Sequence, residues 1–121
     1  MMTAFKQNYR KMQVKRLNAL ETKRKKIVNL LPSIVSDLKQ QRISSILVHG
    51  SILRPGKFHE RSDLDMVIFG ARVDQWCALC KIVDDYLAPY DIYPDVRLSQ
   101  DLPVTFTDHI KTLGMPYIEL S

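Results

Sequence analysis

Apolar residues recur at helical spacing through the first quarter of the chain. Phe5, Tyr9 and Met12, then Leu17, Leu20, Ile27 and Leu31, predict a helix over residues 4–31, with neither Gly nor Pro before Pro32. The stripe is interrupted by the all-polar run Glu21–Lys26. Pro32 either ends this helix or opens a second one, "PSIVSDLKQQR", whose Ile34, Val35 and Leu38 face a core. The pattern then changes period. "ISSILVHG" predicts a strand ending at Gly50, and "LDMVIFG" a second strand closed by Gly70. Asp74 is placed to cap a helix over 75–88, with Trp76, Leu79, Cys80, Val83 and Leu87 on one face and Pro89 as the stop. "YPDVRL" predicts a third strand. "TFTDHIKTLG" predicts a short helix ended by Gly114, and "PYIEL" a last short strand. The order is helix, strand, turn, strand, helix, strand, helix, strand. It points to an α/β or α+β domain: a small mixed sheet flanked by helices and preceded by a long basic helix.

The length of 121 residues suits a single core, and 45% hydrophobic residues are too many for a disordered chain. Charge divides the chain. Residues 1–26 carry nine Lys or Arg against one acid, Glu21, whereas residues 27–121 carry nine against twelve. The basic arm, residues 1–31, is therefore read apart from a mildly acidic domain over 32–121, and any nucleic-acid binding has to rest on the arm. No apolar run reaches the ~20 residues of a membrane span, and the start lacks a signal-peptide core, so the expected location is the cytoplasm with no membrane contact. Cys77 and Cys80 form a C-x-x-C without the second ligand pair of a structural zinc site. They lie inside a helical pattern rather than at its start, so they are expected as two packed thiols.

The candidate chemistry lies between the first two strands. Gly50 can adopt positive φ or let a ligand approach the backbone, and Ser51 is placed to cap a short turn over Ile52–Arg54. With Arg54 and Lys57 nearby, this turn is either an anion site or an ordinary capped turn. It is not a P-loop: Gly50 and Gly56 are one residue too far apart, and Phe58 follows Lys57. Nor is it a nucleophile elbow, since Ser51 follows Gly50 directly. Downstream, Asp63 and Asp65 flank Leu64 and share one face of a strand, while Leu64, Met66 and Ile68 point into the core. Two adjacent carboxylates repel unless a cation sits between them, and Mg²⁺ takes such oxygen ligands together with substrate phosphates. The other reading is an Asp-rich turn with solvated charges. Asp95 in "YPDVRL" is the best third carboxylate for a two-metal site; Asp91 is the fallback, with a turn role as its alternative.

"HGSILRPGKFHERSDLDMVI" resembles the signature of the DNA polymerase beta-like nucleotidyltransferases: Gly-Ser, a short basic-containing loop, then Ser-Asp-x-Asp. "FTDHIKTLGMPYIEL" is similar to the closing helix, Gly and strand of the minimal nucleotidyltransferases, so the resemblance spans roughly residues 30–121. It implies the nucleotidyltransferase fold. It also implies that Gly50 and Ser51, with Arg54 and Ser62, bind the nucleotide, and that Asp63, Asp65 and Asp95 hold Mg²⁺, as two ions. Asp95 would help deprotonate the acceptor, and AMP from ATP would pass to a hydroxyl as pyrophosphate leaves. The sequence departs from the family loop at Leu53, which replaces an Ala, at the inserted Pro55, and at His49, where an aromatic is frequent. His49 and His59 are read as scaffold and loop surface. Minimal members are often antitoxins that add AMP to a tyrosine of a helical HEPN ribonuclease toxin, which makes a protein acceptor the first expectation. Transfer to a small molecule or RNA, and a non-catalytic module that neutralises a partner by contact, are the alternatives. The arm is read as a solvated helix packing one stripe, or as a grip on an acidic partner or RNA phosphates, and its length also offers a route to a homo-oligomer.

Overall fold

In the computed structural model, residues 3–112 and 117–120 are described. Helix α1 spans Ala4–Lys39, β1 Ser45–His49, β2 Leu64–Phe69, α2 Trp76–Leu87, β3 Pro94–Leu98, α3 Phe106–Thr112 and β4 Tyr117–Leu120. The strands form one mixed sheet of order β3-β2-β1-β4, with β2 and β3 parallel and β1 antiparallel to both β2 and β4. This is the α+β architecture the pattern predicts. Gly114 lies outside the described residues.

Period-two burial divides the strands between the two faces of the sheet. Ile46, Val48, Leu64, Met66, Ile68, Val96 and Leu98 join α1 and α2 in the main core, through Ile27, Leu31, Ile34, Leu38, Leu79, Val83 and Leu87. On the opposite face Leu47 and Val67 pack against Ile110 of α3. Asp63, Asp65 and Asp95 fall on this second face, because their neighbours Leu64, Met66 and Val96 are committed to the first.

Three local expectations need correction. Pro32 neither breaks nor starts a helix; α1 runs through it. A proline inside a helix costs about 3 kcal/mol, but Leu31, Ile34, Val35 and Leu38 are all buried around it, each contributing roughly 1.5–3 kcal/mol. Pro32 itself is exposed. Second, Asp74 does not cap α2. It sits in a 3-10 turn, Val73–Gln75, paired with Arg72. The Gln75 side chain closes that end by accepting from the Arg72 N–H at 2.7 Å and donating to the Gln41 carbonyl at 2.7 Å. Third, only one of the two thiols packs: Cys80 is half-buried against the core and Cys77 is exposed, both unbonded to each other.

The arm is also corrected in part. Its stripe packs only from Leu20 onward, and Phe5, Tyr9, Met12 and Leu17 are exposed. Arg24, inside the polar run that interrupts the stripe, is buried. No helix among the described residues is long and apolar enough to cross a membrane.

Candidate metal centre

β2 and β3 bring the carboxylates together by register. Asp65 is the parallel partner of Asp95, and Asp63 precedes Asp65 by one pleat. Oxygens from Asp63, Asp65 and Asp95 all lie within 4.8 Å of one another, each side chain half-buried. The apolar strands behind them make the mount rigid. A cluster of hard, negative oxygens in this arrangement suits Mg²⁺ or Mn²⁺, and the donor set contains no thiol or imidazole that would favour a softer ion.

The electrostatics show the strain of that cluster. Burial, followed by the adjacent Asp95 carboxylate and then Asp63, pushes the Asp65 carboxyl up to about 7. The Arg97 guanidinium works in the opposite sense; its Nε donates to Asp95 Oδ1 at 3.2 Å. Arg97 was not legible as a site residue, although an i+2 position on the same strand face is the signal that places it beside Asp95. Asp91, the fallback ligand, is not in the cluster. It adopts positive φ at the end of a 3-10 turn and lines, with Glu60, Arg61, Ser62 and Tyr93, a cavity of about 300 Å³ that shares only Asp63 with the cluster.

Gly50 and the triad are in direct contact. Gly50 has φ +90°, and a Cβ built on it would stand 2.5 Å from Asp65 Oδ2. The glycine of the Gly-Ser pair is therefore the surface against which the Asp65 carboxylate rests. Ser51 does not cap the following turn. It is the first residue of a 3-10 turn, Ser51–Leu53, for which Gly50 is the cap. Its N-terminal hydrogen bonds run from Leu53 N–H to the Gly50 carbonyl and from Arg54 N–H to the Ser51 carbonyl. Arg54 is exposed, and no hydrogen bond holds its side chain among the described residues. The Ser62 hydroxyl is buried and accepts from the His59 N–H at 2.9 Å, fixing the turn that leads into Asp63. His49 is the antiparallel partner of Asp65 and packs edge-on against Phe106, with centroids 5.8 Å apart. Burial holds its pKa below the ordinary value.

The arm supplies two residues that the pattern concealed. Arg24 Nη1 donates to the Ile52 carbonyl at 2.8 Å, while its Nε and Nη2 form a paired contact with Glu21. Glu21 in turn accepts from the Gly56 N–H at 3.2 Å. With Ile52 and Phe58 buried in the core, the loop after Gly50 is held from both sides. Arg24 and the Gly56 N–H bring Glu21 down to about 2. Its carboxylate therefore stabilises the fold above the unbound value of 4.5, and that contribution is lost as pH falls toward 2. Arg24→Met is expected to lower stability by about 2 kcal/mol, because the buried Ile52 carbonyl loses its donor while the apolar stem is kept. A fall in the urea midpoint at unchanged slope would register this; an unchanged midpoint would show that the loop does not need the clamp.

No protein-family model matches the chain, and a search of curated proteins finds no match. Fold and geometry therefore define an α+β protein with an acidic cluster able to hold a metal ion.

Proposed function

We propose that this protein is a metal-dependent nucleotidyltransferase that moves AMP from ATP onto a hydroxyl of a partner protein. The observation that carries the reading is the convergence of Asp63, Asp65 and Asp95 against Gly50, the residue that opens the Gly-Ser turn. The resemblance of "HGSILRPGKFHERSDLDMVI" to the polymerase beta-like signature supplies the reaction, and it makes a helical HEPN-type toxin the first candidate acceptor.

Asp63, Asp65 and Asp95 would hold two Mg²⁺ ions, which supply charge neutralisation at the phosphates and lower the acceptor hydroxyl's pKa when bound. The chain's own groups do the rest. The turn at Gly50 and Ser51 receives the β- and γ-phosphates, with Arg54 at its exposed rim and Ser62 holding the turn that presents Asp63. Asp95 accepts the acceptor's proton. The acceptor oxygen bonds to the α-phosphorus as the bond from that phosphorus to the pyrophosphate oxygen breaks, leaving a phosphodiester and free pyrophosphate. Arg97 beside Asp95 offsets the negative charge gathered there.

The test is label transfer from α-phosphate-labelled ATP with Mg²⁺ in source-cell lysate, comparing wild type with Asp63→Ala/Asp65→Ala. A labelled protein band that requires both carboxylates is expected. Label in RNA or a small molecule would move the acceptor to that class. No label with ATP or any other nucleotide would leave a non-catalytic binding module.

A further inference from the structure

The N-terminal half of α1 carries an apolar face with nothing beneath it among the described residues. Phe5, Tyr9 and Met12 are spaced four and three residues apart, so they share one helix face. The same spacing continues through Arg16, Leu20, Ile27, Leu31, Ile34 and Leu38. Along that line Phe5 and Met12 are 79% and 69% exposed, Arg16 pairs with Glu60 at 2.9 Å, Leu20 is half-buried and Ile27 is fully buried. The core-facing stripe of the helix thus runs off the body and continues for about 20 Å as a free ridge. Among the described residues, five of the nine exposed large hydrophobics, Phe5, Tyr9, Met12, Val14 and Leu17, are on this segment, the first three on one face. Exposed apolar residues gathered in this way mark an interaction surface.

The charges identify the partner. Lys6, Arg10, Lys11 and Lys15 lie off the ridge line, Arg16 ends it in the pair with Glu60, and residues 4–20 contain no acid. A nucleic-acid footprint needs only cations along a helix and has no use for an apolar line. Here Lys6 and Lys15 flank the Phe5–Tyr9–Met12 line and Arg10 and Lys11 lie behind it, which leaves an apolar strip with a charged rim, the arrangement that protein interfaces use. Arm-to-arm pairing with a second copy would set cations against cations. We infer that residues 4–17 dock an acidic amphipathic helix of a partner protein, its apolar stripe laid along Phe5, Tyr9 and Met12. The Arg16–Glu60 pair and the Glu21–Gly56 hydrogen bond tie the base of the ridge to the loop that leads into Asp63. A partner seated there would adjoin the loop that leads into Asp63. That link to the cluster rests on the proposed function; the docking itself does not.

The test uses the full chain and an amphipathic helical peptide of about 20 residues, with Leu on one stripe and Glu elsewhere, followed by fluorescence anisotropy. Micromolar binding is expected. It should weaken at least about tenfold in Phe5→Gln/Tyr9→Gln/Met12→Gln, a variant of good helix formers whose circular dichroism should match wild type. The Asp63→Asn/Asp65→Asn variant should bind as wild type does, which separates docking from catalysis. Failure to bind, or binding that the Gln variant retains, would overturn the inference. So would equal binding of the same stripe in a Lys-rich peptide, tighter binding of a short RNA that ignores the Gln changes, or concentration-dependent self-association abolished by them.

Discussion

Asp65→Asn is expected to abolish metal binding and, in the absence of metal, to make the protein more stable. Both outcomes follow from one geometry. Three carboxylates within 4.8 Å of one another repel unless a cation or a proton sits among them, and removing one charge takes away a ligand and a source of repulsion together. Mn²⁺ affinity, read by titration, should fall at least about a hundredfold, with the proposed nucleotidyl transfer falling at least as far. Without metal, the variant should gain about 1–2 kcal/mol, a figure reduced for the solvent that reaches a half-buried site. That corresponds to roughly 3–8 °C in Tm. The pH dependence has a definite sign. Asp65 is pushed up to about 7 from 3.8, so its ionisation penalises the folded state. The penalty is absent below about 3.8, grows as pH rises, and is complete above about 7. The stability gain of Asp65→Asn should therefore be largest at alkaline pH and vanish in acid. Saturating Mg²⁺ should stabilise wild type and leave the variant unchanged. A variant less stable than wild type in metal-free buffer at alkaline pH would mean that the carboxylates do not strain one another.

Gly50→Ala is expected to damage fold and site at once. Its backbone, φ 90° and ψ −161°, belongs to a region that L side chains rarely adopt, at a cost of about 1–3 kcal/mol. The added methyl would also meet Asp65 Oδ2 at 2.5 Å. One of the two must move, and a displaced Asp65 leaves the triad open. Loss of about 2–3 kcal/mol in urea unfolding is expected, with Mn²⁺ affinity down on the order of tenfold or more. Gly56→Ala is the control. Gly56 also has positive φ, 75°, but open space around it, so about 1 kcal/mol should be lost with metal binding intact. Equal loss of metal binding in both variants would show that backbone strain, rather than the contact with Asp65, is responsible.

The elements of the fold were legible because they depend on local pattern. Strand periodicity located β1, β2 and β3 to within a residue or two, and placed Asp63 and Asp65 on the face opposite Leu64, Met66 and Ile68. Asp95 was identifiable as a partner because Val96 and Leu98 assign it to the outer face of its own strand. Pro32 misled because its local cost is visible in sequence, whereas the burial that outweighs it is not. The arm's apolar stripe misled in the opposite way: the period is real, but Phe5, Tyr9 and Met12 are exposed and the stripe packs only from Leu20 onward.

By itself, the sequence determined which residues are helical or extended, which face of each strand is apolar, and that carboxylates alternate with core residues on β2 and β3. Those properties follow from side-chain periodicity within single segments. Only the tertiary structure decided that β2 and β3 pair in parallel with Asp65 opposite Asp95, since register between distant strands is set by the packing of the helices against them. It likewise decided that Gly50 leaves room for a carboxylate rather than only for a turn. And it turned Glu21 and Arg24, two charges in a basic run, into the clamp on the loop. A buried arginine is stable only where distant groups, here the Ile52 carbonyl and a neighbouring carboxylate, come together to satisfy it.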